Sequence, residues 1–98
     1  MDIETAQSVV CEAGKKLVEL GLVAGTWGNV SLRVDEASMA ITPSGIPYRE
    51  LREEMVVLVR IETGEWSGSW KPSGERGLHR AIYRRRPDVN CVVHTHPF

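Results

Sequence analysis

Apolar residues recur at Ile3, Ala6, Val10, Ala13, Leu17 and Leu20. That 3-4-3-4-3 spacing draws a single stripe along a helix over residues 2–20. Asp2 is placed to cap its start and Gly21 to stop it in a left-handed conformation. Glycines at 21, 25 and 28 then exclude helix and require a loop. The period changes at Val30-Ser31-Leu32-Arg33-Val34, which alternates as a half-buried strand does. Asp35 to Ser38 turns the chain and Met39-Ala40-Ile41-Thr42 returns it, completing a hairpin.

Beyond the turn-rich Pro43-Ser44-Gly45-Ile46-Pro47, residues 48–54 have room for a short helical turn. Met55-Val56-Val57-Leu58-Val59 is continuously apolar and predicts a central strand covered on both faces. A turn at residues 62–65 follows, then a second helix over about residues 74–86, ended by Pro87, and a last strand over residues 89–94. This order predicts an α/β sandwich whose sheet is mixed or antiparallel.

Composition changes the picture little. At 98 residues there is at most one domain, and a unit of this size buries only about 60–65% of its unfolded surface, so a partner or a longer parent chain is expected to steady it. Twelve Lys and Arg against thirteen Asp and Glu leave a net charge of −1, which argues against nucleic acid or an anionic membrane as the main partner. No apolar stretch is long enough to span a membrane, and the acidic, polar N-terminus does not read as a signal peptide. Cys11 in the first helix and Cys91 in the last strand read as two buried thiols, as expected of a reducing cytoplasm.

The candidate chemistry is concentrated in a few segments. In the closing "CVVHTHPF", His94 and His96 lie two apart on a strand, so they project from one face and can converge on a metal. Ordinary core or surface histidines remain the alternative. Ser73 and Gly74 lie at the mouth of the second helix, where unpaired N–H groups and the dipole favour an anion. Glu75 in its first turn is a dipole-stabilising carboxylate, or else a metal ligand or general base. His79, four residues on, shares that face and has three options: bonding the carboxylate, packing in the core, or ligating a metal. Gly25-Thr26-Trp27-Gly28-Asn29 and Thr42-Pro43-Ser44-Gly45 offer backbone amides and polar side chains suited to an anion, or structural turns. Arg80, Arg84, Arg85 and Arg86 read as a solvated helix end, and Trp27, Trp66 and Trp70 as core or pocket lining.

Together, "GTWGNVSLR" (25–33), "ITPSGIPY" (41–48), "KPSGERGLHRAIYRRRPDVN" (71–90) and "VVHTHP" (92–97) resemble the class II aldolase/adducin family in order and spacing, along nearly the whole chain. The resemblance implies the N-terminal portion of one α/β/α sandwich domain, with a mixed, largely antiparallel central sheet. It implies a zinc-dependent aldolase that cleaves a phosphorylated ketose through a metal-stabilised enediolate, in the cytoplasm and as a homotetramer. Carried onto this sequence, Zn2+ falls to His94, His96 and Glu75, and Glu75 is the catalytic acid/base. The sugar phosphate falls to Gly28, Asn29, Ser44, Gly45, Ser73 and Gly74.

Gly74 stands where the family usually has a second serine, so it brings only its backbone N–H. The family's third zinc-binding histidine would lie beyond residue 98, which makes the chain read as an inactive fragment truncated at its C-terminus. Epimerase, dehydratase and decarboxylase relatives share the pattern, as does the non-catalytic head of adducin. Glu75 favours an aldolase over the epimerases, which tend to carry Asp there.

Overall fold

A computed structural model describes residues 1–23 and 28–95. Helix α1 (Ile3–Glu19) begins where Asp2 accepts the Thr5 N–H at 2.7 Å. It ends with Gly21 at φ +71°, where Gly21 N–H reaches Val18 O and Leu22 N–H reaches Leu17 O. These two bonds satisfy carbonyls that a helix end leaves open, and only a residue at ease with positive φ allows both. Ala6 and Val10 are buried as the stripe requires, but its ends Ile3 and Leu20 are exposed. The buried face runs instead through Cys11 and Gly14. At Gly14 a Cβ would stand 2.7 Å from Leu51 Cδ1, so the missing side chain lets α1 sit close on the segment after β2.

Strands β1 (Asn29–Arg33), β2 (Ser38–Ile41), β3 (Val57–Arg60) and β4 (Cys91–His94) form a sheet in the order β3-β2-β1-β4, with all three pairings antiparallel. Two short 3-10 turns, Tyr48–Glu50 and Glu53–Met55, occupy the predicted helical turn. Helix α2 (Arg76–Arg85) precedes β4.

Alternation along the strands divides the core. Val30, Ala40 and Val56 pack with Ala6 and Val10 of α1. Met39, Ile41, Val57 and Val59 point the other way and pack with Tyr83 of α2. The helices therefore cover opposite faces, as an α/β/α sandwich requires.

Three expectations change. β3 is apolar on both faces as predicted, yet it is an edge strand, paired with β2 and touched on its outer side by an isolated bridge from Val59 to Trp66. Continuous apolarity reports covered faces, not a neighbour on each side. β1 is more than half-buried, with Ser31 fully buried, because α2 covers the face that alternation assigns to water. Cys11 is buried but Cys91 is exposed, since β4 is the other edge of the described sheet.

Candidate functional site

The start of β1, the end of β4 and the N-terminus of α2 meet at one end of the sheet. Antiparallel register sets Asn29 opposite His94. Glu75 occupies the N-cap position of α2, its carbonyl accepting the Leu78 N–H at 3.0 Å and its own N–H held by Ser73 Oγ at 3.2 Å. Its Oε2 accepts from Asn29 Nδ2 at 3.0 Å and also meets His94 Nδ1. A carboxylate can only accept, so His94 presents its proton at Nδ1, and in the neutral ring the lone pair lies on Nε2. Both side chains are partly open to solvent, His94 at 33% and Glu75 at 42%.

A buried polar row runs behind Glu75. Asn29 Oδ1 meets His79 Nε2, His79 Nδ1 lies 2.6 Å from Ser31 Oγ, and Ser31 Oγ lies 2.7 Å from the Tyr83 hydroxyl. The row exists because two periodicities coincide. Glu75, His79 and Tyr83 are four apart on the start and one face of α2, while Asn29 and Ser31 are two apart on one face of β1. Burial lowers the His79 pKa from 6.5 to about 4, against a smaller opposing pull from Glu75. Burial likewise raises Tyr83 to about 12. Near neutral pH His79 is uncharged and Tyr83 keeps its proton. Among the options open to His79 in the sequence, the structure takes a core position bonded to Asn29 and Ser31. The sequence alone does not mark Ser31 or Tyr83 as site residues.

The two phosphate-loop candidates after β2 and before α2 are brought together. Ser44 N–H donates to Lys71 O at 2.8 Å, Ser73 N–H to Thr42 O at 2.9 Å, and Pro43 bridges Pro72. Ser44, Gly45 and Gly74 are exposed, and Ser73 is buried. Gly28 (φ +94°) is hemmed in, since a Cβ there would meet Val23 Cγ1 at 2.5 Å and His94 O at 3.0 Å. Tyr48, whose pKa burial raises to about 12, donates its hydroxyl proton to Gly28 O at 2.6 Å. Thr42 Oγ1 lies 2.9 Å from that hydroxyl and accepts the Val30 N–H. Tyr48 and Thr42 thus tie the Gly28 segment to the Ser44 loop. Asn29 is 3% exposed, and its amide is engaged by Glu75 and His79.

The residue chemistry suits zinc. A carboxylate and an imidazole meet at an open sheet end, and zinc takes both kinds of ligand, the imidazole through the nitrogen that bears no proton. His96, the other histidine of the pair, lies outside the described residues, as do Gly25, Thr26 and Trp27. Among the described residues no group of three or more His, Cys, Asp or Glu side chains forms a metal cluster.

Arg84, Arg85 and Arg86 are exposed, as a solvated helix end requires, and Arg80 alone of that cluster turns inward. Arg80 donates to Ile61 O and Glu62 O, each at 2.8 Å, which ties the helix to the turn after β3. Arg33 does the corresponding work at the helix end, donating to Tyr83 O, Arg86 O and Val89 O, with its guanidinium 4.8 Å above the Tyr83 ring. Trp70 packs on the core, while Trp66 is 39% exposed beneath the Arg76 guanidinium.

Residues 8–98 match the sequence profile of the class II aldolase and adducin N-terminal domain. The chain is 37% identical over 97 residues to 5-deoxy-D-ribulose 1-phosphate aldolase of Bacillus thuringiensis serovar kurstaki, covering 98% of this chain and 46% of that protein. It is 46% identical over 88 residues to the 5-methylthioribulose-1-phosphate/5-deoxyribulose-1-phosphate aldolase of Rhodospirillum rubrum, covering 89% and 39%. Among solved structures, YgbL of Klebsiella pneumoniae, described as a putative aldolase/epimerase/decarboxylase, superposes with a TM-score of 0.89 at 31% identity, over 99% of this chain and 46% of that one. An L-fuculose 1-phosphate aldolase superposes with a TM-score of 0.87 at 38% identity, over 95% and 44%. The chain spans less than half the length of each. Among the described residues, no helix is long and apolar enough to cross a membrane.

Proposed function

This chain belongs to the class II aldolase and adducin family, and from that premise we propose that it is the N-terminal part of a single-domain, zinc-dependent aldolase that cleaves a phosphorylated ketose. The observation that carries the reading is the meeting of Glu75 with His94 and Asn29 at the open end of the sheet. A sheet end with a helix N-terminus beside it gives a small anionic substrate both access and a favourable field.

Glu75 and His94, with His96, would hold the zinc. When bound, it would act as a Lewis acid on the substrate's carbonyl and hydroxyl oxygens. Cleavage takes a proton from the hydroxyl on the carbon that becomes the aldehyde and breaks the adjacent C–C bond. It then returns a proton to the carbon left with the electron pair. Glu75 would carry the proton, a role supported by its partial opening to solvent and by the Asn29 amide that steadies it from behind. Ser44, Gly45, Ser73 and Gly74, on two loops joined by backbone bonds, would hold the phosphate and so orient the reacting carbons. Gly28 would close the same wall, and Asn29, expected at the phosphate but with its amide engaged by Glu75 and His79, would act on the substrate through Glu75.

The test is made on the whole protein. His94→Ala with His96→Ala should lose zinc by elemental analysis; unchanged metal content would sink the ligand assignment. Glu75→Gln should retain the fold and most of the zinc while turnover on phosphorylated ketoses collapses. Near-normal turnover would rule out the acid–base role. Formation of an epimer or a dehydrated product in place of two carbonyl fragments would move the protein to another reaction of the same family. The homotetramer is read out by the mass of the protein in solution.

A further inference from the structure

We infer that His79 is a positioning residue: with Ser31 and Tyr83 behind it, it fixes the Asn29 side-chain amide in the one orientation that donates to Glu75. Its functional meaning rests on the acid–base role proposed for Glu75; its geometry does not.

The direction of every bond in the row follows from counting protons. Asn29 Oδ1 can only accept, so His79 Nε2 must carry a proton. A neutral imidazole has one N–H, so His79 Nδ1 is an acceptor and the proton in its 2.6 Å bond comes from Ser31 Oγ. Ser31 has spent its only proton, so in the 2.7 Å bond Tyr83 donates. The chain therefore reads in one direction: Tyr83 to Ser31, Ser31 to His79, His79 to Asn29, and Asn29 to Glu75.

The opposite choice fails at the Glu75 end, where the carboxylate can only accept. Rotating the amide by half a turn would set Asn29 Oδ1 against the Glu75 carboxylate and an amide N–H against the His79 N–H. Moving the His79 proton to Nδ1 with the amide unturned would set a ring lone pair against Asn29 Oδ1. No side-chain polar atom buried among the described residues lacks a hydrogen-bond partner, so the row is fully satisfied as it stands. A satisfied buried network specifies one arrangement, because each alternative leaves a costly unmade bond. The consequence reaches the site, since a donor held toward Glu75 fixes the plane of its carboxylate.

The test reads the ring directly. In the whole protein labelled with 15N-histidine, the His79 nitrogens should show the Nε2–H tautomer at neutral pH, and Ser31→Ala should weaken that preference. A wild-type Nδ1–H tautomer or a charged ring would overturn the inference. In the zinc-loaded protein, Ser31→Ala should lower kcat by about tenfold with KM for the phosphorylated substrate changed less than about twofold, since outer-shell partners carry effects of that size and the phosphate loops are untouched. Tyr83→Phe, which removes one hydroxyl, should act in the same direction if Ser31→Ala does not fold. Folded variants with unchanged kcat would overturn the positioning role. An Nε2–H ring in a protein that cleaves no phosphorylated ketose would overturn the assigned chemistry and leave the row of bonds standing. The two readings therefore fail separately.

Discussion

Replacing Gly28 by alanine tests whether the end of β4 is as tightly set as the site requires. The backbone there has φ +94°, which costs an L-residue about 1–2 kcal/mol. A Cβ would also stand 2.5 Å from Val23 Cγ1 and 3.0 Å from His94 O. Ordinary carbon–carbon contact is about 3.5–4.0 Å, so roughly 1 Å of movement is needed. Val23 is 4% exposed within the α1-side core, and His94 O belongs to a paired strand, so neither yields easily. Forced overpacking of this kind costs about 1–3 kcal/mol, which puts the total near 2–5 kcal/mol.

Gly68→Ala is the control, because Gly68 has φ +100° and open space where a Cβ would go. It carries the backbone strain alone. Urea unfolding followed by circular dichroism should show Gly28→Ala losing about 1–3 kcal/mol more than Gly68→Ala. Zinc affinity should fall with it, since His94 is one of the two residues the Cβ crowds. Equal losses in the two variants would refute the steric argument and leave Gly28 with no role beyond its φ.

Other expectations are more quickly checked. Gly74→Ser meets nothing within 4 Å and lies outside the positive-φ region, so it should bind inorganic phosphate more tightly, by up to about tenfold in calorimetry; weaker binding would remove Gly74 from the phosphate site. His79 titrates near 4 when folded and 6.5 when not, so the unfolded chain takes up its proton first as pH falls. The stability involved is complete above pH 6.5 and is lost toward pH 4, by about 3 kcal/mol. The stability difference between wild type and His79→Gln should shrink by about that amount across the window, and a constant difference would contradict it. Arg33→Lys should cost about 1–3 kcal/mol in urea unfolding, because an ammonium cannot reproduce the fork that reaches three carbonyls; full stability would show that those carbonyls find water instead.

What the sequence conveyed was local. Asp2, Gly21 and the 3-4 spacing mark α1 because capping and periodicity act within a few residues. Grouped motifs likewise pointed to Glu75 and His94, which the fold brings together over a separation of 19 residues. What stayed hidden depends on which surface covers which. Ser31 reads as the solvent side of an alternating strand until α2 lies over it, and Cys91 reads as buried until its strand proves to be an edge. The row from Tyr83 to Glu75 joins two periodic faces on different elements. Each periodicity was visible alone, but their meeting was not. Gly14 carried a fainter signal, as a glycine in a helix interior costs about 1 kcal/mol against alanine and so calls for a packing reason.

The order β3-β2-β1-β4 also sets a timetable for folding. Strands β1, β2 and β3 follow one another along the chain and can pair through comparatively short connections. β4 reaches β1 only after roughly sixty intervening residues, and closing that loop costs about 2 kcal/mol more in chain entropy than closing the β1–β2 turn. Asn29, Glu75 and His94 can meet only once this last pairing is made. A polypeptide that has built its meander and its α1-side core still lacks a site, and it is the return of β4 that brings the Asn29–Glu75–His94 cluster into existence. Hydrogen exchange should therefore find the β1–β4 amides opening before those between β1 and β2.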